Sequence, residues 1–206
     1  VAVEDLATLA GTPVYVYDQA IIARQVRRLQ NAFADTPTRF MYACKALPNL
    51  AIMKLVKRLG TGLDTVSIHE AELGLRAGFH YGGRTPVFIR INPHIMAGGN
   101  ERISTGHIDS KFGISIHQLR HVERIVGSHG MHIHGLHMHT GSDILDADVF
   151  LRGAELLLEA AALFPELRYL DLGSGFKVAY KEGDITTDIE DLGARITARV
   201  QQFNAE

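Results

Sequence analysis

Apolar residues recur along this chain at two spacings, and the two take turns. A helical start over 3–9 gives way at Gly11-Thr12-Pro13 to the alternating run Val14-Tyr15-Val16-Tyr17, which predicts a strand. Over 19–33 the apolar positions Ile21, Ile22, Val26, Leu29 and Phe33 return at helical spacing, with Arg24, Arg27 and Arg28 as the solvated face. The residues from Phe40 to Cys44 predict a strand that runs into Lys45. Pro48 and Asn49 close it, and Asn49 caps a helix to Leu59 that Gly60 stops. A strand over 62–66 follows, then a capping box at Ser67-Ile68-His69-Glu70 opening a helix to Ala77, with Gly78 as its end.

The second half repeats the alternation. A strand over 87–91 leads into a long glycine-bearing loop from Pro93 to Lys111, too long for a mere connection and therefore read as functional. Ser115 and Gln118 form another capping box for a helix to Val126. A strand over 131–139 enters Thr140-Gly141-Ser142, a helix spans 148–164, a strand over 168–172 enters Gly173-Ser174-Gly175, and a helix covers 188–203. Alternating strands and helices predict a mainly parallel sheet, whose chemistry sits at the carboxyl ends of its strands. The residues at or just beyond those ends are Lys45, Asp64, Arg90, His137, His139, Ser142, Asp171, Gly173 and Gly175. The only boundary this pattern supports separates an N-terminal arm, 1–34, from the sheet unit, 35–206.

Composition narrows the classes. The 206 residues, 46% hydrophobic and 21% charged, describe a globular chain of one ordinary domain or most of a larger one. No apolar run approaches the roughly 18 residues of a membrane span. The N-terminus lacks a basic-then-apolar leader pattern, and the expected location is cytoplasmic. A single cysteine, Cys44, excludes an internal disulfide. A net charge of −2 without a basic block gives nucleic acid no footing. Of the 11 histidines, four crowd into His132, His134, His137 and His139.

Strand alternation puts Lys45 on one side with Met41 and Ala43, and the expectation is an inward lysine. A buried ammonium must pair or lose its proton, which makes it a candidate amine nucleophile; the alternative is a packed stem with its head in solvent. Gly173-Ser174-Gly175 lets backbone amides approach an anion, although such turns also serve as plain strand exits. Ser142 adds a hydroxyl and Arg90 a permanent charge. Lysine, phosphate cradle and imidazole together make the kit for pyridoxal 5'-phosphate, whose aldehyde condenses with a lysine amine. A zinc site on His137-Met138-His139 is the rival, but it needs further ligands at other strand ends, where only Asp64 and Asp171 stand out. His132 and His134 precede the strand end and read as packing or surface residues. No G-x-S-x-G elbow supports a serine hydrolase.

With these residues assembled, the sequence resembles the alanine-racemase-like group of pyridoxal-phosphate decarboxylases, and within it the diaminopimelate branch. The resemblance rests on Gly11-Thr12-Pro13-Val14-Tyr15-Val16-Tyr17, Tyr42-Ala43-Cys44-Lys45-Ala46, Arg90-Ile91-Asn92-Pro93, Ile103-Ser104-Thr105-Gly106 with Ser110-Lys111-Phe112-Gly113-Ile114, Gly135-Leu136-His137-Met138-His139-Thr140-Gly141-Ser142, and Leu170-Asp171-Leu172-Gly173-Ser174-Gly175-Phe176. It implies a (β/α)8 TIM-type barrel of the alanine-racemase-like kind. Lys45 would hold the cofactor, His139 would stack on its ring, Ser142, Gly173, Ser174 and Gly175 would sit at its phosphate, and Asp64 and Arg90 would support the site, with no metal. The implied reaction is decarboxylation of meso-2,6-diaminopimelate to L-lysine. The alternatives are another basic amino acid or carboxynorspermidine as substrate, or a non-catalytic cofactor-binding relative. The resemblance also implies a homodimer with shared sites, with apolar Ile95, Met96 and Ile103 of the long loop suited to a partner. Two departures stand out. Ser174 replaces the middle of three glycines, and strand-helix units expected between Gly78 and Val87, a last strand and a C-terminal β domain are absent from the chain.

Overall fold

A computed structural model describes residues 1–80, 88–95, 112–130 and 132–206. Val87 and the loop residues Met96, Ile103, Ser104, Thr105, Gly106, Ser110 and Lys111 lie outside the described residues. The chain divides into two compact units, Val1–His80 and Tyr81–Glu206.

The first unit carries α1 (Val3–Ala10), α2 (Gln19–Ala32), β1 (Met41–Ala43), α3 (Leu50–Arg58), β2 (Gly62–Asp64) and α4 (Ile68–Arg76). Polar side chains start α2, α3 and α4 by taking their unpaired amides. Asp18 Oδ1 accepts from the amides of Ala20 and Ile21 at 2.7 and 3.1 Å, and Asn49 Oδ1 does the same for Ala51 and Ile52 at 2.9 and 3.2 Å. At α4 the capping box is offset. Ser67 Oγ accepts from Glu70 N as expected, but Glu70 Oε2 reaches back to the amide of Val66, not that of Ser67. Strands β1 and β2 pair in parallel with Met41 beside Gly62, Tyr42 beside Leu63 and Ala43 beside Asp64. The core of this unit is Cys44, Met53, Val56, Leu63, Ala77 and Phe79, edged by Ile22, Tyr42, Leu50, Ile52 and Leu73.

The strand expected at Val14-Tyr15-Val16-Tyr17 is not formed. Alternation alone does not make a strand; it needs a neighbour for its amides and carbonyls, and among the described residues none pairs with this run. Its side chains are correspondingly uncovered, with Tyr15 87% exposed.

The second unit carries β3 (Phe88–Asn92), β4 (Ile114–Ser115), α5 (Leu119–Ser128), β5 (Gly135–Met138), α6 (Ala147–Ala161), β6 (Tyr169–Asp171) and α7 (Ile189–Ala205). Among the described residues its strands lie in the order β4-β3-β5-β6, every pair parallel, as the alternation predicts. The expected strands are longer than those observed, because pairing stops where the chain bends into a turn. Helix α6 covers β5 closely: a methyl group at Gly153 would stand 3.0 Å from Met138 Cε. Helices α6 and α7 pack against each other, α6 burying Phe150, Ala154 and Leu157 and α7 burying Leu192 and Ile196, and are bridged by ion pairs of Arg195 with Asp148 and of Arg199 with Glu155. This apolar layer fixes β5 and α6, and so fixes where the residues after Met138 emerge.

Candidate active site

Strand β1 stops at Ala43, and Cys44–Ala46 form one 3₁₀ turn. Leu47 N donates to Cys44 O at 3.1 Å to close it, and Tyr42 Oη donates to Leu47 O at 3.0 Å. The buried side is that of Tyr42 and Cys44, Cys44 being 0% exposed, whereas Met41 and Lys45 are exposed. The inward lysine is therefore corrected. The period of two that placed Lys45 with the apolar set ends where the 3₁₀ turn begins, and the face it shares with Met41 is the open one. Lys45 keeps its hydration and its freedom to reach a ligand. Burial pushes the Cys44 thiol up, and the carboxylates of Glu70 and Asp64 add to it, so the thiol stays protonated and unreactive. Asp64, exposed at the carboxyl end of β2, is the lateral neighbour of Ala43.

In the second unit a row of polar residues crosses three strands. Arg90 of β3 stands beside His137 of β5, and His137 beside Asp171 of β6. Lateral neighbours in a parallel sheet share a face, so the three side chains leave the same side. His137 Nδ1 lies 3.0 Å from Asp171 Oδ2. That approach is within ion-pair range but too bent for a good hydrogen bond. The nitrogen is itself buried, with no better partner among the described residues. The other oxygen, Asp171 Oδ1, accepts from Gly173 N at 2.8 Å. Burial would raise the Asp171 carboxyl, but the close approach and charge of His137, the Gly173 amide and the charge of His139 together hold it below the usual carboxylate range. Arg90 Nη2 donates to the backbone oxygen of His139 at 3.3 Å, and its guanidinium carbon sits 5.0 Å from the centre of the Phe112 ring. Burial lowers the Arg90 pKa.

The glycine turn is folded onto the exit of β5. Gly173 has φ +70° and Gly175 φ +105°. A methyl group at Gly173 would strike Met138 O and stand 3.4 Å from His139 Nδ1, and one at Gly175 would strike Gly141 O and stand 3.4 Å from Ser142 Cα. Ile144 N donates to Gly175 O and Lys177 N to Ile144 O, at 2.9 and 3.1 Å, which clasps the turn to the segment after Ser142. Ser174 does not share the positive φ of its neighbours, so the backbone tolerates a side chain there and the departure from three glycines costs no strain. Its side chain faces outward, exposed. Among the described residues no acceptor takes the amides of Ser174 or Gly175, while the Gly173 amide is held by Asp171. Two unpaired amides beside the exposed Ser142 form a donor set that fits a phosphate.

The structure brings Arg90, His139, Ser142, Gly173, Ser174 and Gly175 to the carboxyl ends of β3, β5 and β6, and places Lys45 and Asp64 at the carboxyl ends of β1 and β2. The sequence places His137 and Asp171 at strand ends, where they read only as candidate zinc ligands and not as partners of each other. The Asp-x-Gly spacing was the available signal, since an aspartate readily accepts from the amide two residues on. Among the described residues no group of three histidines, cysteines or carboxylates converges as a metal site, and no helix is long and apolar enough to cross a membrane.

Comparison with known proteins places this geometry. The family described as pyridoxal-dependent decarboxylase, pyridoxal binding domain, matches residues 19–83 and 80–206. The chain belongs to that family, and its cofactor is pyridoxal phosphate. It is 31% identical to the diaminopimelate decarboxylase of Methanothermobacter thermautotrophicus, covering 94% of this chain and 56% of that protein. It is 30% identical to that of Vibrio cholerae, covering 88% of this chain and 55% of that protein. The chain thus spans about half the length of the curated relatives it matches. Among solved structures, diaminopimelate decarboxylase from Helicobacter pylori complexed with L-lysine superposes with TM-score 0.82 at 26% identity, over 97% of this chain and 63% of that one. A lysine/ornithine decarboxylase from Vibrio vulnificus complexed with putrescine shares the fold, with TM-score 0.77 at 20% identity over 97% of this chain and 62% of that one. These likenesses identify the fold as the alanine-racemase-like barrel of the decarboxylases, present here in part. The alignment with the Methanothermobacter protein runs over 240 positions yet takes in 94% of 206 residues, about 194, so about 46 of its positions stand opposite no residue here. The two family matches meet at residues 80–83, where internal strand-helix units were expected to be missing.

Proposed function

We propose that this chain is the pyridoxal-binding part of an enzyme that decarboxylates meso-2,6-diaminopimelate to L-lysine and carbon dioxide. The observation that carries the reading is the donor set at the exit of β5: the unpaired amides of Ser174 and Gly175 beside exposed Ser142, with His139 alongside. The relatives named diaminopimelate decarboxylase support the substrate. When bound, pyridoxal 5'-phosphate supplies an electron sink for the pair left behind as carbon dioxide departs.

The chain's own residues bind and orient. Lys45, exposed on its braced 3₁₀ turn, offers an amine for covalent attachment of the cofactor and for release to an incoming substrate amine. His139 packs against the pyridine ring, held from behind by Arg90 through its backbone oxygen. Ser142 and the amides of Ser174 and Gly175 hold the phosphate, and Gly173 serves by its conformation because its amide is already used by Asp171. Asp64, exposed at the end of β2, takes a supporting role toward the same cofactor. Residues 35–206 are the cofactor-binding domain in this reading and 1–34 an arm. The functional unit is a homodimer with shared sites in the cytoplasm.

The test is an assay of the full-length protein with diaminopimelate, ornithine, arginine and carboxynorspermidine. Lysine and carbon dioxide formed from diaminopimelate, with the other three turned over at least tenfold more slowly, support the proposal. Preference for another substrate shifts it to that substrate, and turnover of none with cofactor bound leaves a non-catalytic binder. Light scattering checks the dimer: a monomer of full activity overturns the shared site.

A further inference from the structure

The Asp171 carboxylate touches two elements at once. Oδ1 accepts from Gly173 N at 2.8 Å, and Oδ2 lies 3.0 Å from His137 Nδ1 on the neighbouring strand. The first contact is a turn in which an aspartate oxygen stands in for a backbone carbonyl, and it lets Gly173 take φ +70° while its amide stays paired. The chain then presents the next two amides, those of Ser174 and Gly175, without an internal acceptor among the described residues. The second contact is an ion-pair approach: His137 Nδ1 is buried with no hydrogen-bond partner among the described residues, so the carboxylate 3.0 Å away offsets its burial and ties ring and carboxylate together.

Two further constraints sharpen the point. The turn has no slack, since methyl groups at Gly173 and Gly175 would both strike the backbone after β5. The pairing ladder between β5 and β6 ends at His137 beside Asp171, so beyond that row backbone hydrogen bonds between the two strands no longer set the turn. The side chain of Asp171 takes over where the ladder stops.

We infer that Asp171, oriented by His137, is a positioning residue that sets the glycine turn so that the Ser174 and Gly175 amides meet the phosphate of the cofactor. This rests on the proposed function only in taking pyridoxal phosphate as the occupant. Asp171 touches no reacting atom. Its influence falls on the phosphate end of the ligand, not on the ring.

The test compares pyridoxal 5'-phosphate with pyridoxal, which lacks the phosphate, by absorbance titration of the full-length protein, with inorganic phosphate as competitor. In Asp171→Ala the affinity for pyridoxal 5'-phosphate falls roughly tenfold or more, the scale of a lost charge-assisted hydrogen bond. Affinity for pyridoxal stays within about twofold, and competition by inorganic phosphate weakens in step with the first loss. His137→Ala gives a smaller loss of the same kind, and His137→Gln, which keeps a donor, recovers most of it. Wild-type affinity for pyridoxal 5'-phosphate in folded Asp171→Ala overturns the inference, and so does an equal loss for the two ligands. If Asp171→Ala does not fold, Asp171→Asn decides: it keeps an acceptor for Gly173 but puts a donor against His137, and an unchanged preference for the phosphorylated ligand overturns the inference. A wild-type protein that binds neither ligand overturns the functional reading itself, and this inference with it.

Discussion

Arg90 donates from Nη2 to the backbone oxygen of His139 at 3.3 Å, one residue past the end of β5. The ladder between β3 and β5 ends with Ile91 beside Met138, one residue short of His139. The guanidinium reaches that next residue, and it is itself held over the Phe112 ring. Arg90→Ala removes both contacts and loosens the backbone at His139. The expected result is a loss of about tenfold to a hundredfold in kcat/KM, with a stability loss of only about 1–2 kcal/mol. Arg90→Lys recovers little, because an ammonium has neither the planar fork nor the stacking face. Steady-state kinetics with a urea titration of the same variants checks this, and a large stability loss with unchanged kinetics contradicts it.

Lys45 stands exposed on a turn whose closure depends on Tyr42 and Leu47. Borohydride reduction of the cofactor-loaded protein, followed by peptide mapping, is expected to place the pyridoxyl label on Lys45. A label on Lys54, Lys57 or Lys111 instead contradicts the assignment. Tyr42→Phe, which loosens the turn without touching the amine, is expected to slow the labelling several-fold and leave its position unchanged.

The order of elements was legible in the sequence because caps and glycine stops are local chemistry: Asn49, Ser67, Gly60 and Gly78 act where their residue types say they act. Strand lengths and faces were not, because they depend on neighbours. The run at 14–17 alternates as a strand should and has no partner, and the Lys45 side of β1 could not be told from the core side until α3 and β2 chose Cys44 and Tyr42 to cover. The same limit hid the row of Arg90, His137 and Asp171. Each residue is ordinary alone, and only the register of three parallel strands aligns them.

The depressed Asp171 carboxyl makes a pH prediction with a definite sign. Its folded pKa lies below its unfolded value of about 3.9, so its contribution to stability is fully present above that value and is lost as pH falls through the folded pKa. The groups facing it are His137 and His139 on β5 and the Gly173 amide on its own turn, with Arg90 farther along the row. Melting temperatures of wild type and Asp171→Asn are expected to differ at and above about pH 4 and to converge as pH falls further, through the folded pKa. A gap that persists or widens below about pH 4 contradicts the assignment.

Gly175 and Gly183 both take a positive φ, +105° and +81°, but they differ in what surrounds them. Nothing lies within 4 Å of a methyl group built on Gly183, so Gly183→Ala meets only the cost of a left-handed backbone, about 1–2 kcal/mol. At Gly175 the added carbon would overlap Gly141 O, and the next atom in its way is Gly141 C at 3.1 Å. Both are backbone, which no rotamer change can move aside. The clasp formed by Gly175 O with Ile144 N must then open, so Gly175→Ala carries the backbone cost and an overpacking cost together, roughly 3 kcal/mol or more. Because the movement separates the turn from Ser142, the variant is also expected to lose affinity for pyridoxal 5'-phosphate, whereas Gly183→Ala keeps it. Urea midpoints and cofactor titration on the two variants check the pair. Equal losses at both positions would mean that backbone conformation, and not the tight seat of the turn against the exit of β5, is what requires glycine at 175.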